Sequence, residues 1–239
     1  MKFNFNSSTY SLKPRIVPLL GFILALSILL SLSGWQIKRL NWKTDLISKR
    51  ISSFELPPSK FSQIETPELN EFRKIIIEGE LLNEKEMYMP ALSKRGNNGF
   101  HILVPLKTVD EKFIIYNTGW IPLKMKEKKE RINSFVEGKR NFEAVIRTSG
   151  RKGYFQPDND INTNTWFFVE PELMSGYLSL NLENYYYLEA VNNGPQGFPL
   201  GNQTRIYLRN NHLQYAITWL LIAFGLIGVF FFANIKKIK

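Results

Sequence analysis

Two blocks of uninterrupted apolar sequence stand near opposite ends of the chain, and the stretch between them mixes apolar and polar positions at short periods. The first block, residues 16–32, runs for 17 residues without a charge. As a helix it is roughly 26 Å long, and Ser33, Gly34 and Trp35 extend it across a hydrocarbon core, with Trp35 as an interfacial anchor. It is long for the apolar part of a cleaved signal peptide, and no A-x-A-like site follows it, so it reads as an uncleaved anchor. The second block, residues 215–233, runs for 19 uncharged residues and is followed by Lys236, Lys237 and Lys239. Those flanking bases and the Phe-rich composition read as a second membrane span.

Between the spans the pattern changes. Residues 35–51 mix apolar and basic positions at helical spacing and continue the first helix, until Leu56-Pro57-Pro58 breaks it. Strands are expected at 72–82, 86–89, 100–109, 112–117, 141–148, 166–169 and 185–191. Residues 93–99 read as a loop with Gly96-Asn97-Asn98-Gly99 as its turn, and 124–131 as a solvated charge run. Residues 150–164 form a long polar loop. A helix is expected at 171–180, with Pro171 in its first turn, and 192–203 is a Gly/Pro-rich link. The fold class is therefore a membrane α-helical hairpin of two transmembrane helices, with an extracytoplasmic α+β, mainly β domain between them. Its bounds are a tail at 1–15, a span at 16–35, the domain at 36–210, a span at 211–233 and a tail at 234–239.

Charge sets the orientation. Three bases and no acid lie in residues 1–34, and three bases and no acid in 215–239. The 180 residues between hold the other 25 bases and all 21 acids. Excess charge on tails beside apolar runs suits lipid headgroups, whereas a nucleic-acid binder would carry it on its folded part. Both tails are expected in the cytoplasm and residues 36–210 outside. The chain has no cysteine, which excludes disulfides, thiolate metal sites and cysteine nucleophiles. No Arg-rich, acid-poor presequence opens the chain, which favours a bacterial inner membrane with a periplasmic domain over a mitochondrial inner membrane.

Candidate chemistry is sparse. No hydrolase, nucleotide-binding or zinc-protease motif is present and the carboxylates are scattered, so the chain is not read as an enzyme. Of the two histidines, His101 lies in a strand and reads as locally packed. His212 opens the second span, and on a helix Tyr215 and Trp219 share its face, while Gln214 and Thr218 form a polar pair. An antiparallel hairpin brings Trp35 and Gln36 to the same end. Two readings stand for this cluster: an interfacial belt, or a site where His212 meets haem iron between flanking aromatics.

Three motifs resemble one family. They are the stretch from Gly34-Trp35-Gln36 through Arg39 to Trp42-Lys43, then Gly119-Trp120-Ile121-Pro122, and Asn210-Asn211-His212-Leu213-Gln214-Tyr215-Ala216-Ile217-Thr218-Trp219. They are similar to signatures of the Surf1 (Shy1) family of cytochrome c oxidase assembly proteins. Ile77-Glu78-Gly79 and the loop Phe155-Gln156-Pro157-Asp158-Asn159 fit too, and the likeness covers nearly the whole chain in order. Thr118 stands where the family usually has arginine. The resemblance implies a respiratory-chain assembly chaperone that delivers or stabilises haem a for the catalytic subunit of the oxidase. His212 would be the ligand, and Tyr215, Trp219, Trp35 and Gln36 its surroundings. Partners implied are that catalytic subunit, other assembly factors and membrane lipid. A haem-free scaffold for the nascent subunit is the alternative, and a membrane-surface enzyme the remoter one. In the second motif Gly119 is read as a bend and Pro122 as a limit to strand pairing, with the place of Trp120 left open.

Overall fold

The computed structural model describes residues 2–5 and 8–238. In chain order the elements are β1 (Lys2–Phe5), β2 (Ser8–Leu12), α1 (Ile16–Glu55), β3 (Ser59–Lys60), β4 (Lys74–Leu81), β5 (Met87–Leu92), β6 (Asn98–Thr108), β7 (Phe113–Pro122), β8 (Arg140–Thr148), α2 (Pro171–Leu178), β9 (Tyr186–Ala190), α3 (His212–Asn234) and β10 (Ile235–Ile238). They fall into two compact units, residues 1–48 with 208–239, and residues 49–207.

The first unit is a helical hairpin. Both α1 and α3 are long and apolar enough to cross a membrane. Helix α1 has 40 residues, roughly 60 Å at 1.5 Å per residue, about twice a hydrocarbon core. It therefore runs well past the apolar block, as the mixed pattern of 35–51 requires, and ends at Glu55 before the two prolines. The helices pack antiparallel. Phe22 and Phe230 stack at 4.1 Å at one end, and the Ser33 hydroxyl donates to the Ala216 carbonyl at 3.1 Å further along. Small residues let the backbones approach: Ser33, Ala216 and Ala223 are buried along this seam, together with Gln36. The tails, expected only as basic flanks, also pair: β2 is the centre of a three-stranded antiparallel sheet with β1 and β10.

The second unit is a closed barrel. Strands β4, β8, β9, β7 and β6 pair in that order, and β6 closes back on β4. All pairings in the ring are antiparallel except β7–β9. This is a five-stranded Greek-key barrel of the OB-fold kind. Period-2 alternation places Ile75, Ile77, Ile102, Val104, Leu106, Ile114, Tyr116, Ile146 and Leu188 inside, where they form the main core. The outward set of β6 and β7, Leu103 and Ile115, is covered by a second core built on Trp166, Met174 and Leu178 of α2 and its approach. Strand β5 extends the sheet beyond β6, and β3 pairs with β4 in parallel.

Several local expectations are corrected. Residue 72 does not begin a strand. Phe72 has φ 68° and is buried between the guanidinium groups of Arg50 and Arg147, each 4.7 Å from its ring, and the strand starts at Lys74. Residues 166–169 form no ladder; Trp166 donates its N–H to the Tyr88 carbonyl at 2.9 Å and is wholly buried by packing. The charge run at 124–131 is not a uniformly solvated loop. Short 3-10 turns at Leu123–Met125 and Lys128–Ser134 fold it back, and Arg131 makes a two-pronged ion pair with Glu86, both side chains almost fully buried.

Candidate functional site

On α1, Ser33 and Gln36 are three residues apart and share a face; on α3, His212 and Ala216 are four apart and share one. The antiparallel packing sets these two faces together. Gln36 is buried, and its Oε1 lies 2.7 Å from His212 Nδ1. With that carbonyl as acceptor, Nδ1 carries the imidazole proton and Nε2 keeps its lone pair, the tautomer a metal ligand needs. His212 is the first residue of α3, after Asn211 as N-cap, and Asn210 Nδ2 donates to Thr44 Oγ1 at 3.2 Å just before it. The Asn210-Asn211-His212 run thus ties the start of α3 to α1 through both an asparagine and the histidine.

The aromatic neighbours are arranged differently from the polar pair. Trp35 is one residue from Gln36, so it points about 100° away from the seam and is half exposed. Tyr215 is also half exposed, and Trp219 is partly buried. Among the described residues no ring of Trp35, Tyr215 or Trp219 stacks on another. The geometry brings His212 and Gln36 into contact and leaves the three aromatics as separate surfaces of the same end of the hairpin. Gln214 and Thr218 are not a side-chain pair: the Thr218 hydroxyl donates to the Gln214 backbone carbonyl at 2.9 Å, one turn back. In the first motif Arg39 lies over Trp42 at 4.4 Å, the contact its i, i+3 spacing allows.

The second motif is structural in its contacts. Gly119 has φ +124° and donates its N–H to Asn117 Oδ1 at 3.0 Å, at the point where the β6–β7 register shifts. A Cβ there would run into the Leu200 carbonyl, so only glycine lets residue 200 pair with Trp120. Trp120 is buried. Its indole crosses Gly99 and donates to the Ala91 carbonyl at 3.2 Å, locking β5 to β6 and β7. Pro122 ends β7. Thr118 donates its hydroxyl to the Ile102 carbonyl at 3.2 Å, a local strand contact in place of an arginine.

Among the described residues no group of three or more His, Cys, Asp or Glu side chains is placed to hold a metal ion. His101, read as a locally packed strand histidine, faces outward from β6 near a polar assembly that the sequence pattern did not reveal. Burial holds its pKa below the usual histidine range, and Glu189 and Asn117 offset this only in part. Glu189 accepts from Arg147, from the Tyr187 hydroxyl at 2.9 Å and from Thr204 Oγ1 at 2.5 Å. Burial pushes the Tyr187 phenol well above its ordinary value. For Arg147 burial acts downward, and Glu189, Tyr187 and Glu71 more than offset it. Only the outward alternation of β8 and β9 hinted at this cluster, because its members are far apart in the chain.

Comparison with known proteins agrees with these motifs. The SURF1 family profile matches residues 23–224. Surfeit locus protein 1 of Takifugu rubripes is 29% identical over 226 residues, covering 87% of this chain and 93% of its own. The SURF1-like protein of Rickettsia felis is 27% identical over 226 residues, covering 92% and 96%. Surfeit locus protein 1 of Homo sapiens is 27% identical over 206 residues, covering 79% and 68%. With the barrel strands and part of each apolar helix inside the matched region, the chain belongs to the SURF1 family, a family of cytochrome c oxidase assembly factors.

Proposed function

We propose that this protein is an assembly factor of cytochrome c oxidase that holds haem a through His212 and hands it to the catalytic subunit, from a bacterial inner membrane with both tails in the cytoplasm and the barrel in the periplasm. The observation that carries the reading is the Gln36–His212 hydrogen bond, which leaves Nε2 as a free imidazole ligand at the end of a membrane-crossing helix. The donor set suits a cargo held briefly. One histidine is offered, with no second histidine in that unit, so ligation would be readily reversed. Gln36 keeps the ring oriented and its Nδ1 protonated. The half-exposed rings of Trp35 and Tyr215 supply apolar surface at the same end of the hairpin for a flat, hydrophobic group. When bound, haem a supplies the redox iron of the recipient oxidase; the chain itself performs binding, orientation and release.

An absorption spectrum tests this. The full chain, purified in mild detergent from cells that make haem a, should show a haem a signal that His212→Ala loses at equal yield. No haem in either protein, with oxidase subunits still co-purifying, would replace the carrier by a haem-free scaffold. Activity of a periplasm-only reporter fused after Lys239 would overturn the orientation.

A further inference from the structure

One end of the barrel is roofed over rather than packed shut. The side chains that reach it from the strands all belong to the inward alternation: Leu81 of β4, Val104 of β6, Tyr116 of β7, Phe142 of β8 and Ala190 of β9. Two segments lie across them, 131–136 and 192–199. The first is pinned, because Asn83 Nδ2 donates to the Val136 carbonyl at 2.9 Å and Arg131 is held by Glu86. The second is tied across itself by the Gly194 N–H, which donates to the Pro199 carbonyl at 2.8 Å. Between roof and barrel a cavity of about 120 Å³ remains, and the exposed Asn141 and Asn192 mark where it opens.

Two hydroxyls at this cavity are unsatisfied. Tyr116 is 4% exposed and Ser134 8%, both line the cavity, and neither hydroxyl makes a hydrogen bond among the described residues. A buried hydroxyl left unpaired costs free energy that an incoming partner would recover. The Tyr116 ring lies against Phe142 at 5.4 Å. Burial, and after it the charge of Glu143, pushes its phenol above the ordinary range, so it stays a neutral O–H donor. Glu143 itself follows Phe142 in β8 and alternates to the outer face. The charges of the roof, Arg131 and Glu86, satisfy each other.

Water alone fits this space poorly. The volume equals about four waters at roughly 30 Å³ each, and an ordered water needs two or more polar partners, whereas Leu81, Val104, Phe142, Val136 and Pro199 make most of the wall hydrocarbon. A cavity of roughly 150 Å³ takes a benzene ring, so this one, open at its rim, suits a flat group of about that size. A charged ligand would lose its hydration with no free counter-charge to meet it. An apolar chamber with a few convergent polar groups in the mouth of a barrel is a common ligand site.

We propose that the roofed mouth of the barrel binds a small uncharged ring bearing a hydroxyl oxygen, a ligand of the phenol class, with the ring among Leu81, Val104 and Phe142 and the oxygen on Tyr116. The site lies wholly in the barrel unit and is independent of the reading of His212.

The full chain, labelled with ¹³C-methyl valine in phosphatidylcholine nanodiscs, is titrated with phenol, benzene and benzoate. Val104 stands on the barrel wall and Val136 on the roof, and their signals are assigned with Val104→Ile and Val136→Ile. Phenol should shift both along one saturable curve, while Val17 and Val229 of the spans show only the linear drift of phenol dissolved in lipid. Benzene should bind about fivefold more weakly or worse, because the Tyr116 hydroxyl stays unpaired, and benzoate should not saturate. Tyr116→Phe should bring phenol down to the affinity of benzene without lowering the thermal midpoint, because this hydroxyl has no hydrogen bond to lose. Absence of saturation at Val104 and Val136, as expected of a cavity that holds water only, would overturn the proposal. So would saturation by benzoate, equal affinity for phenol and benzene, or an unaltered response in Tyr116→Phe.

Discussion

Replacing Arg131 by methionine should destabilise the barrel unit far more than any other change in the charge run around it. The Arg131 guanidinium meets the Glu86 carboxylate at 2.5 and 2.8 Å, its Nε donates to the Met125 carbonyl at 2.9 Å, and its face covers Phe135 at 5.3 Å. The two side chains are 1% and 2% exposed. Burial acts against the charged guanidinium, yet Glu86 more than offsets it and Arg131 stays charged with a raised pKa. Removing the arginine strands the Glu86 carboxylate in a dry site, with the Tyr88 hydroxyl at 3.3 Å and Lys128 at 3.9 Å as its remaining partners. Breaking such a pair from one side costs about 3–5 kcal/mol. With a urea dependence near 2 kcal/mol/M, the unfolding midpoint should fall by about 2 M. Replacing both partners, as Glu86→Leu with Arg131→Met, removes the stranded charge, so the double variant should be more stable than the sum of the singles by about 2 kcal/mol or more. The assay is equilibrium urea unfolding of the full chain in detergent, followed by near-UV circular dichroism. A loss below about 1 kcal/mol for Arg131→Met, or additive single effects, would refute a buried, tightly coupled pair.

Three further outcomes are expected. Gly119→Ala should lower stability by about 2 kcal/mol or more, combining left-handed strain with a clash against the Leu200 carbonyl, and a thermal midpoint within a degree of the parent would contradict it. Gln36→Leu removes the acceptor for His212 Nδ1, and if His212 is the ligand it should weaken haem retention about 10- to 100-fold in a spectral competition assay; unchanged retention would separate the glutamine from the site. His101 has its folded pKa depressed by burial, so its contribution to stability is complete above the unfolded value near 6.5 and is lost as pH falls toward the folded value. Unfolding free energies between pH 7.5 and 5 should therefore fall more steeply in the parent than in His101→Gln, and parallel slopes would dismiss the effect.

Local pattern was enough to read the membrane spans, the extension of α1 to the prolines, most barrel strands and the third motif. Each depends on composition or on period over neighbouring residues: uncharged runs long enough for a bilayer, alternation of two for strands, two consecutive prolines for a helix end. The place of His212 at the start of an apolar helix could be read from the sequence, because the uncharged run begins just after it. Its partner was legible only as a neighbour in a hairpin. That Gln36 turns inward while Trp35 turns outward follows from a 100° step on α1, but which of the two meets His212 was decided by the helix seam, through the packing of Ser33 against Ala216. Closure of the barrel by β4 and β6, burial of Arg131 beside a glutamate 45 residues away, and the convergence of His101, Arg147 and Glu189 all join residues distant in the chain. The sequence by itself determined the two apolar helices and most of the barrel strands. Only the tertiary structure decided which charges are paired, which are buried and which are left free, because the energy of a charge depends on the groups and the solvent around it and not on its place in the chain.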